Sequence, residues 1–272
     1  MFDALEAHSE VAGVFESWMF HERFGFGGMF DRLLWDPEVT AEHERKFKRR
    51  LGIGPLADRE QFVSDVRELA SRWLMRALRP NDRFLVEKTP VHLHVASVIG
   101  EVFPEARFVE MVRDGRDVAV STLFARRWNP RLTSRAGEKG TTLADVAHDW
   151  RISVNAGARH EREMGDRWLR VRFEDLRTDF VPTIEHVLSF CRIPAEPADI
   201  ERMHSATSIA EHETGEGKFR RAGRVGDWRS KFSLYDAWRF DRIAGAALVE
   251  TGYETSRGWW RAAAVPRRLR QA

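Results

Sequence analysis

Short apolar runs and helical stripes take turns along this chain, and that alternation constrains the fold more than any other feature. A helical start over residues 2–8 leads into a short strand at Val11–Phe15. Phe84–Val86 reads as another strand, and Pro90 opens a helix that runs to about Val102. Phe108–Val112 follows as a strand, Arg113 opens a turn, and Asp117–Ala125 reads as a helix. Trp168–Val171 is the next strand, before a helix near Phe180–Phe190. Strands that alternate with helices build parallel sheets covered on both faces. The expected class is therefore α/β, three-layered, with a central parallel sheet flanked by helices.

Other segments fill in around this frame. Arg59–Leu78 is an amphipathic helix with Phe62, Val66, Leu69, Trp73 and Leu74 on one face. Thr142 with Asp145 three residues on starts a helix, whose stripe is Leu143, Val146, Trp150 and Val154. FGFGGMF (Phe24–Phe30) reads as a glycine-rich loop, and Met29–Leu34 as a short helix limited by Pro37. Arg126–Gly140 is a basic loop containing Gly and Pro.

Composition narrows the function classes. The 272 residues suit one domain, with a basic tail over 257–272. Forty-four Lys and Arg stand against 42 Asp and Glu, a net +2 that does not call for a polyanionic partner such as nucleic acid. The tail places Trp259 and Trp260 among arginines; it reads as solvated, with the Trp pair packed on the domain. One cysteine, Cys191, excludes an internal disulfide and suits a reducing, cytoplasmic compartment. No apolar run approaches the roughly 18 residues that span a bilayer, and the acidic start MFDALEAHSE is no signal peptide. No Cys/His cluster has metal-ligand spacing, so no metal is expected.

The chemistry concentrates in MVRDGRDVAVS, Met111–Ser121. In open parallel sheets ligands bind at the carboxyl ends of strands, where helix N-termini favour anions. Arg113 sits at such an end, and Ser121, eight residues on, can add a hydroxyl. On spacing alone the turn serves equally as a phosphate site or as an ion-paired surface.

EKTP (Glu87–Pro90) followed by FPEARFVEMVRDGRDVAVS (Phe103–Ser121) resembles the sulfotransferases that use 3′-phosphoadenosine 5′-phosphosulfate (PAPS). LRVRFEDLRTDF (Leu169–Phe180), FCRIPAEP (Phe190–Pro197) and RAGRVGDWRSKFS (Arg221–Ser233) are similar to later segments of that family, in order. The resemblance implies a P-loop-like fold and sulfuryl transfer from PAPS to a hydroxyl of a small molecule, sugar or peptide, with 3′,5′-adenosine bisphosphate as product. It implies that Arg113, Ser121, Arg221 and Gly223 hold the 3′-phosphate and that Lys88 stabilises the leaving oxygen. LEAHSEVAGVFES (Leu5–Ser17) is similar to the segment of tyrosylprotein and related sulfotransferases that carries a catalytic Glu. Glu16 holds that place, with His92 and His94 as alternative bases.

Two departures stand out. The family's R-K-G-x-x-G-D-W loop has Lys where Ala222 stands. The family's first strand and its P-x-x-[ST]-G-T-T-like loop, which cradles the 5′-phosphosulfate, have no counterpart, and Met1 falls inside the helix that follows them. The N-terminal strand and half of the cofactor site are thus expected to be missing, with weak cofactor binding and poor turnover. The alternatives are an impaired sulfotransferase-like binding protein and a P-loop kinase, for which G-x-x-x-x-G-K-[ST] is absent.

Overall fold

The computed structural model describes residues 1–31, 34–49, 52–54, 56–128, 142–212 and 224–263. The chain runs α1 (Phe2–Glu6), β1 (Val11–Phe15), α2 (Pro37–Phe47), α3 (Arg59–Leu74), β2 (Phe84–Lys88), α4 (Ala96–Val102) and β3 (Phe108–Val112). It continues through α5 (Gly115–Trp128), α6 (Leu143–Met164), β4 (Trp168–Arg172), α7 (Phe173–Thr178), α8 (Phe180–Cys191) and α9 (Pro197–His212). It closes with α10 (Trp228–Lys231), α11 (Leu234–Glu250) and α12 (Trp260–Ala263). The class is α/β, and more helical than the sequence alone implied. Among the described residues the strands form two two-stranded sheets, β1–β2 and β3–β4.

The chain divides into two compact units. The first comprises Met1–Val109, Met164–Leu169 and Ile184–Thr207; the second, Glu110–Glu163, Arg170–Thr183 and Ser208–Ala272.

In the first unit β1 and β2 pair in parallel, in a register from Val11↔Phe84 to Phe15↔Lys88. A parallel pair needs a long crossover, and here it contains α2 and α3. Phe20, Phe30, Val66, Ala70 and Val102 form a core to which Phe62 and Val63 of α3 add. The face expected on α3 holds except at its end, where Trp73 is 46% exposed and stacks on Phe26. Pro37 opens α2 rather than limiting a preceding helix: it takes the first turn, where a missing N–H costs nothing, and Asp36 accepts from the Glu38 and Val39 amides. The helical turn before it is 3₁₀, over Phe26–Phe30. The FGFGG glycines are structural, since a Cβ on Gly27 would lie 2.2 Å from the Phe20 carbonyl oxygen.

In the second unit Val146, Trp150 and Val154 of α6 are buried as the stripe predicts, and Thr142 Oγ1 donates to Asp145 at 2.7 Å as the cap. They pack with Phe240, Ala244 and Leu248 of α11, a helix absent from the sequence reading. Burying a side chain such as Phe240 contributes about 2 kcal/mol. The tail's Trp259 is core, edge-on to Trp228 at 5.2 Å, and Trp260 packs against the same cluster.

Candidate functional site

Parallel pairing brings the carboxyl ends of β1 and β2 together. Glu16 directly follows β1 and Lys88 ends β2, and the Glu16 amide donates to the Lys88 carbonyl at 2.7 Å. Lys88 Nζ lies 3.0 Å from Glu16 Oε1 and 4.2 Å from the Phe15 ring centroid. The two predicted catalytic residues, 72 positions apart, thus meet. Their side chains are 38% and 33% exposed, and exposed pairs of this kind add at most about 1 kcal/mol to stability. Glu16 also has φ 51°, a left-handed conformation that costs a non-glycine residue on the order of 1–2 kcal/mol. Such strain is characteristic of functional positions.

Behind this pair lies a set of groups that the sequence did not single out. Glu87 Oε1 accepts from the Ser17 hydroxyl (2.7 Å), the Thr89 hydroxyl (2.6 Å) and the Ser17 amide (3.2 Å). Glu87 Oε2 lies 2.9 Å from His92 Nδ1, while His92 Nε2 accepts from the Phe20 amide at 3.2 Å. Because an amide can only donate, Nε2 is the acceptor and the Nδ1 proton goes to Glu87. Burial pushes the Glu87 carboxyl up, but the bonds from His92, Thr89 and Ser17 outweigh it and hold the group below its usual range. His92 is buried with both ring nitrogens engaged, so it is not a free base; His94 is exposed. A carboxylate next to Lys88 in EKTP was the signal available for Glu87.

In the second unit Arg113 leaves β3 and stacks on Phe173, 4.7 Å from its centroid. Its Nη2 donates to the Arg224 carbonyl at 3.1 Å, and its buried Nε has no partner among the described residues. The rest of the turn is committed internally. Arg116 is 1% exposed, paired with Asp114 at 2.7 Å and with Glu254, and lies between the Trp228 and Trp259 rings at 3.9 and 4.4 Å. Asp117 accepts from the Gly226 amide (2.6 Å) and the Trp228 amide (2.9 Å), so it anchors the GDW end of the RAGRVGDW loop. Burial pushes the Asp117 carboxyl up despite those two bonds. Glu174 accepts from the Asp114 amide at 3.0 Å and from the Tyr253 hydroxyl at 2.7 Å. Ser121 is half-buried on α5, while Arg221 and Gly223 lie outside the described residues, as do residues 129–140 of the basic loop. An arginine with an unfilled buried donor at a strand end suits an anion, so the residues present fit the 3′-phosphate of PAPS.

Burial pushes the Cys191 thiol up to about 11, although Arg107 opposes the shift. Among the described residues no helix is long and apolar enough to cross a membrane, and no cluster of His, Cys, Asp and Glu could hold a metal ion.

A family model described as the sulfotransferase family matches residues 1–197, and the chain belongs to that family. Sulfotransferase 2A1 of Mus musculus is 25% identical over 186 residues, which cover 59% of this chain and 62% of that protein. Sulfotransferase 2A2 of Rattus norvegicus is 24% identical over 215 residues, 70% of each. The chain thus spans just under two thirds of the first of these relatives. A solved structure of mouse sulfotransferase SULT7A1 complexed with PAP superposes with a TM-score of 0.48 at 18% identity, covering 89% of this chain and 84% of that one.

Proposed function

We propose that this chain carries out sulfuryl transfer from PAPS to a hydroxyl acceptor. The observation that carries this reading is the Glu16–Lys88 pair, a carboxylate and an ammonium 3.0 Å apart at adjacent strand ends. PAPS, when bound, supplies the sulfuryl group. Glu16 takes the proton of the acceptor hydroxyl as the new O–S bond forms. Lys88 stabilises the phosphate oxygen freed as the old S–O bond breaks, an interaction that strengthens towards the transition state. Arg113 holds the 3′-phosphate through the Nε donor left unfilled among the described residues, and Ser121, Arg221 and Gly223 complete that grip. No metal takes part in this scheme. The acceptor is a small molecule bearing a hydroxyl, with sugars and peptides as the other classes to screen, and cytoplasm is the compartment that the lone cysteine suits.

Thermal shift and radiolabel transfer test the reading together. 3′,5′-Adenosine bisphosphate should raise the melting temperature more than ATP with magnesium. Arg113→Ala should lose about 1.5–3 kcal/mol of that binding, the value of a hydrogen bond to a charged group. Lys88→Ala should lower kcat by about 10²–10³. A bisphosphate shift without transfer to any hydroxyl acceptor would instead mark a binding protein, and an ATP preference would overturn the reading outright.

A further inference from the structure

Five consecutive backbone amides, Glu16 to Phe20, are all engaged by one short network. Glu16 donates to the Lys88 carbonyl, Ser17 to Glu87, Trp18 to Thr89 Oγ1 (3.4 Å), Met19 to Ser17 Oγ (3.3 Å) and Phe20 to His92 Nε2. All the partners except Ser17 belong to EKTPVH, and Ser17 Oγ is itself bound to Glu87. We propose that Glu87 and His92 are positioning residues of the transfer reaction, a carboxylate–imidazole clasp that sets Glu16 against Lys88. The proposal rests on the assignment of Glu16 and Lys88 as the reacting pair.

The strand pleat explains why a clasp is needed. Successive side chains of a strand point to opposite faces, so Glu87 and Lys88 reach to either side of the end of β2. Lys88 holds Glu16 from one side, and Glu87 holds Ser17 from the other. Glu16 and the residue after it are thereby gripped from opposite faces, and the left-handed backbone of Glu16 persists although nothing in a glutamate favours it. Strain of this kind survives only where the surroundings over-determine it. Lys88 and Glu16 alone cannot do so, because their contact is exposed and close to neutral in energy. Glu87 can: its side chain is 19% exposed, it accepts four hydrogen bonds, and His92, 10% exposed, fixes its second oxygen. His92 also ties the clasp to Phe20, a core residue. The network thus runs from the hydrophobic core to Ser17, the residue next to Glu16.

A loop staple with no catalytic role would hold the same hydrogen bonds, so the test reads the Lys88 side chain and not only stability. Lys88 acetylation by acetic anhydride is followed by peptide mass spectrometry, with exposed Lys231 as the internal reference. In Glu87→Gln and His92→Phe the labelling of Lys88 should rise about threefold, as for loss of one exposed ion pair. Their kcat should fall about 10- to 100-fold from misplacement of the base, with the KM for PAPS within about twofold of the parent. His92→Gln offers one donor and one acceptor at the spacing of the ring nitrogens, and should restore both readouts. Ser17→Ala, a smaller lesion that leaves the core intact, should move labelling and kcat the same way by less. Labelling at the parent level in these variants, or a kcat loss that His92→Gln does not repair, refutes the clasp. If Lys88 labelling responds but the parent transfers no sulfuryl group, the clasp stands and the sulfotransferase assignment fails.

Discussion

Three of the four charged side chains between Arg113 and Asp117 are spent on the protein's own architecture. Asp114 and Arg116 neutralise each other in a buried pair, and Asp117 caps two amides of the loop before Trp228. Of these four, only Arg113 has a buried donor with no partner among the described residues. The same short segment is therefore mostly scaffold, with one residue left for a ligand. Asp117→Asn tests the scaffold half. An amide can accept only one of the two N–H groups through its oxygen, and its NH₂ then faces the other donor. The variant should lose about 1–3 kcal/mol of stability in denaturant titration, the cost of an unmet buried hydrogen bond. A neutral result would mean that the GDW turn holds its shape without Asp117.

At the scale of elements, the start of α5 is set by a glycine and a tryptophan from another helix. The Trp150 ring lies where a side chain on Gly115 would be, with its carbon 2.4 Å from the position of an added Cβ. Its Nε1 donates to the Arg113 carbonyl at 3.0 Å. Gly115 therefore lets α6 hold the backbone of Arg113, the residue proposed to bind the phosphate. Gly115→Ala should push the ring away, costing about 1–3 kcal/mol by overpacking and weakening bisphosphate binding in calorimetry. Retained affinity would show that Arg113 does not depend on Trp150. The mirror case is the end of β2, where the amides of Ser17 to Phe20 are held by side chains and not by a ladder.

For the molecule as a whole, stability against pH carries the mark of the Glu87 network. Its folded carboxyl lies below the ordinary 4.5 because hydrogen bonds outweigh burial. A depressed acid contributes stability that is full above its unfolded value and is lost as pH falls through the folded one. The gap in unfolding free energy between the parent and Glu87→Gln should therefore be widest near neutrality and close as pH drops below about 4.5. Urea melts from pH 7 to pH 3 would measure it, and a gap that stays constant would remove Glu87 from the acid limb.

Much of this was legible from residue patterns. Val11–Phe15 and Phe108–Val112 are strands at their expected bounds, and the α6 stripe and its Thr142 cap lie where the periodicity puts them. Motif order also placed Lys88 and Arg113 at strand ends. Other features lay beyond local reading. α11 went unread, although Ala237, Phe240, Ala244 and Leu248 recur along it at helical spacing. Pro37 was read as a stop because proline ends one helix and begins another with the same ring. His92 could be weighed as a base only while its two nitrogens were unassigned.

What the sequence by itself determined is the α/β class and the residue types at each strand end, because propensity, periodicity and motif spacing act within a few residues. Only the tertiary structure decided that Glu16 meets Lys88, that Glu87 and His92 stand behind them, and that Asp117 serves a loop more than a hundred residues away. Those pairings depend on the register of a parallel crossover and on which donors are left once the core has closed. Both are long-range quantities, and no window of sequence contains them.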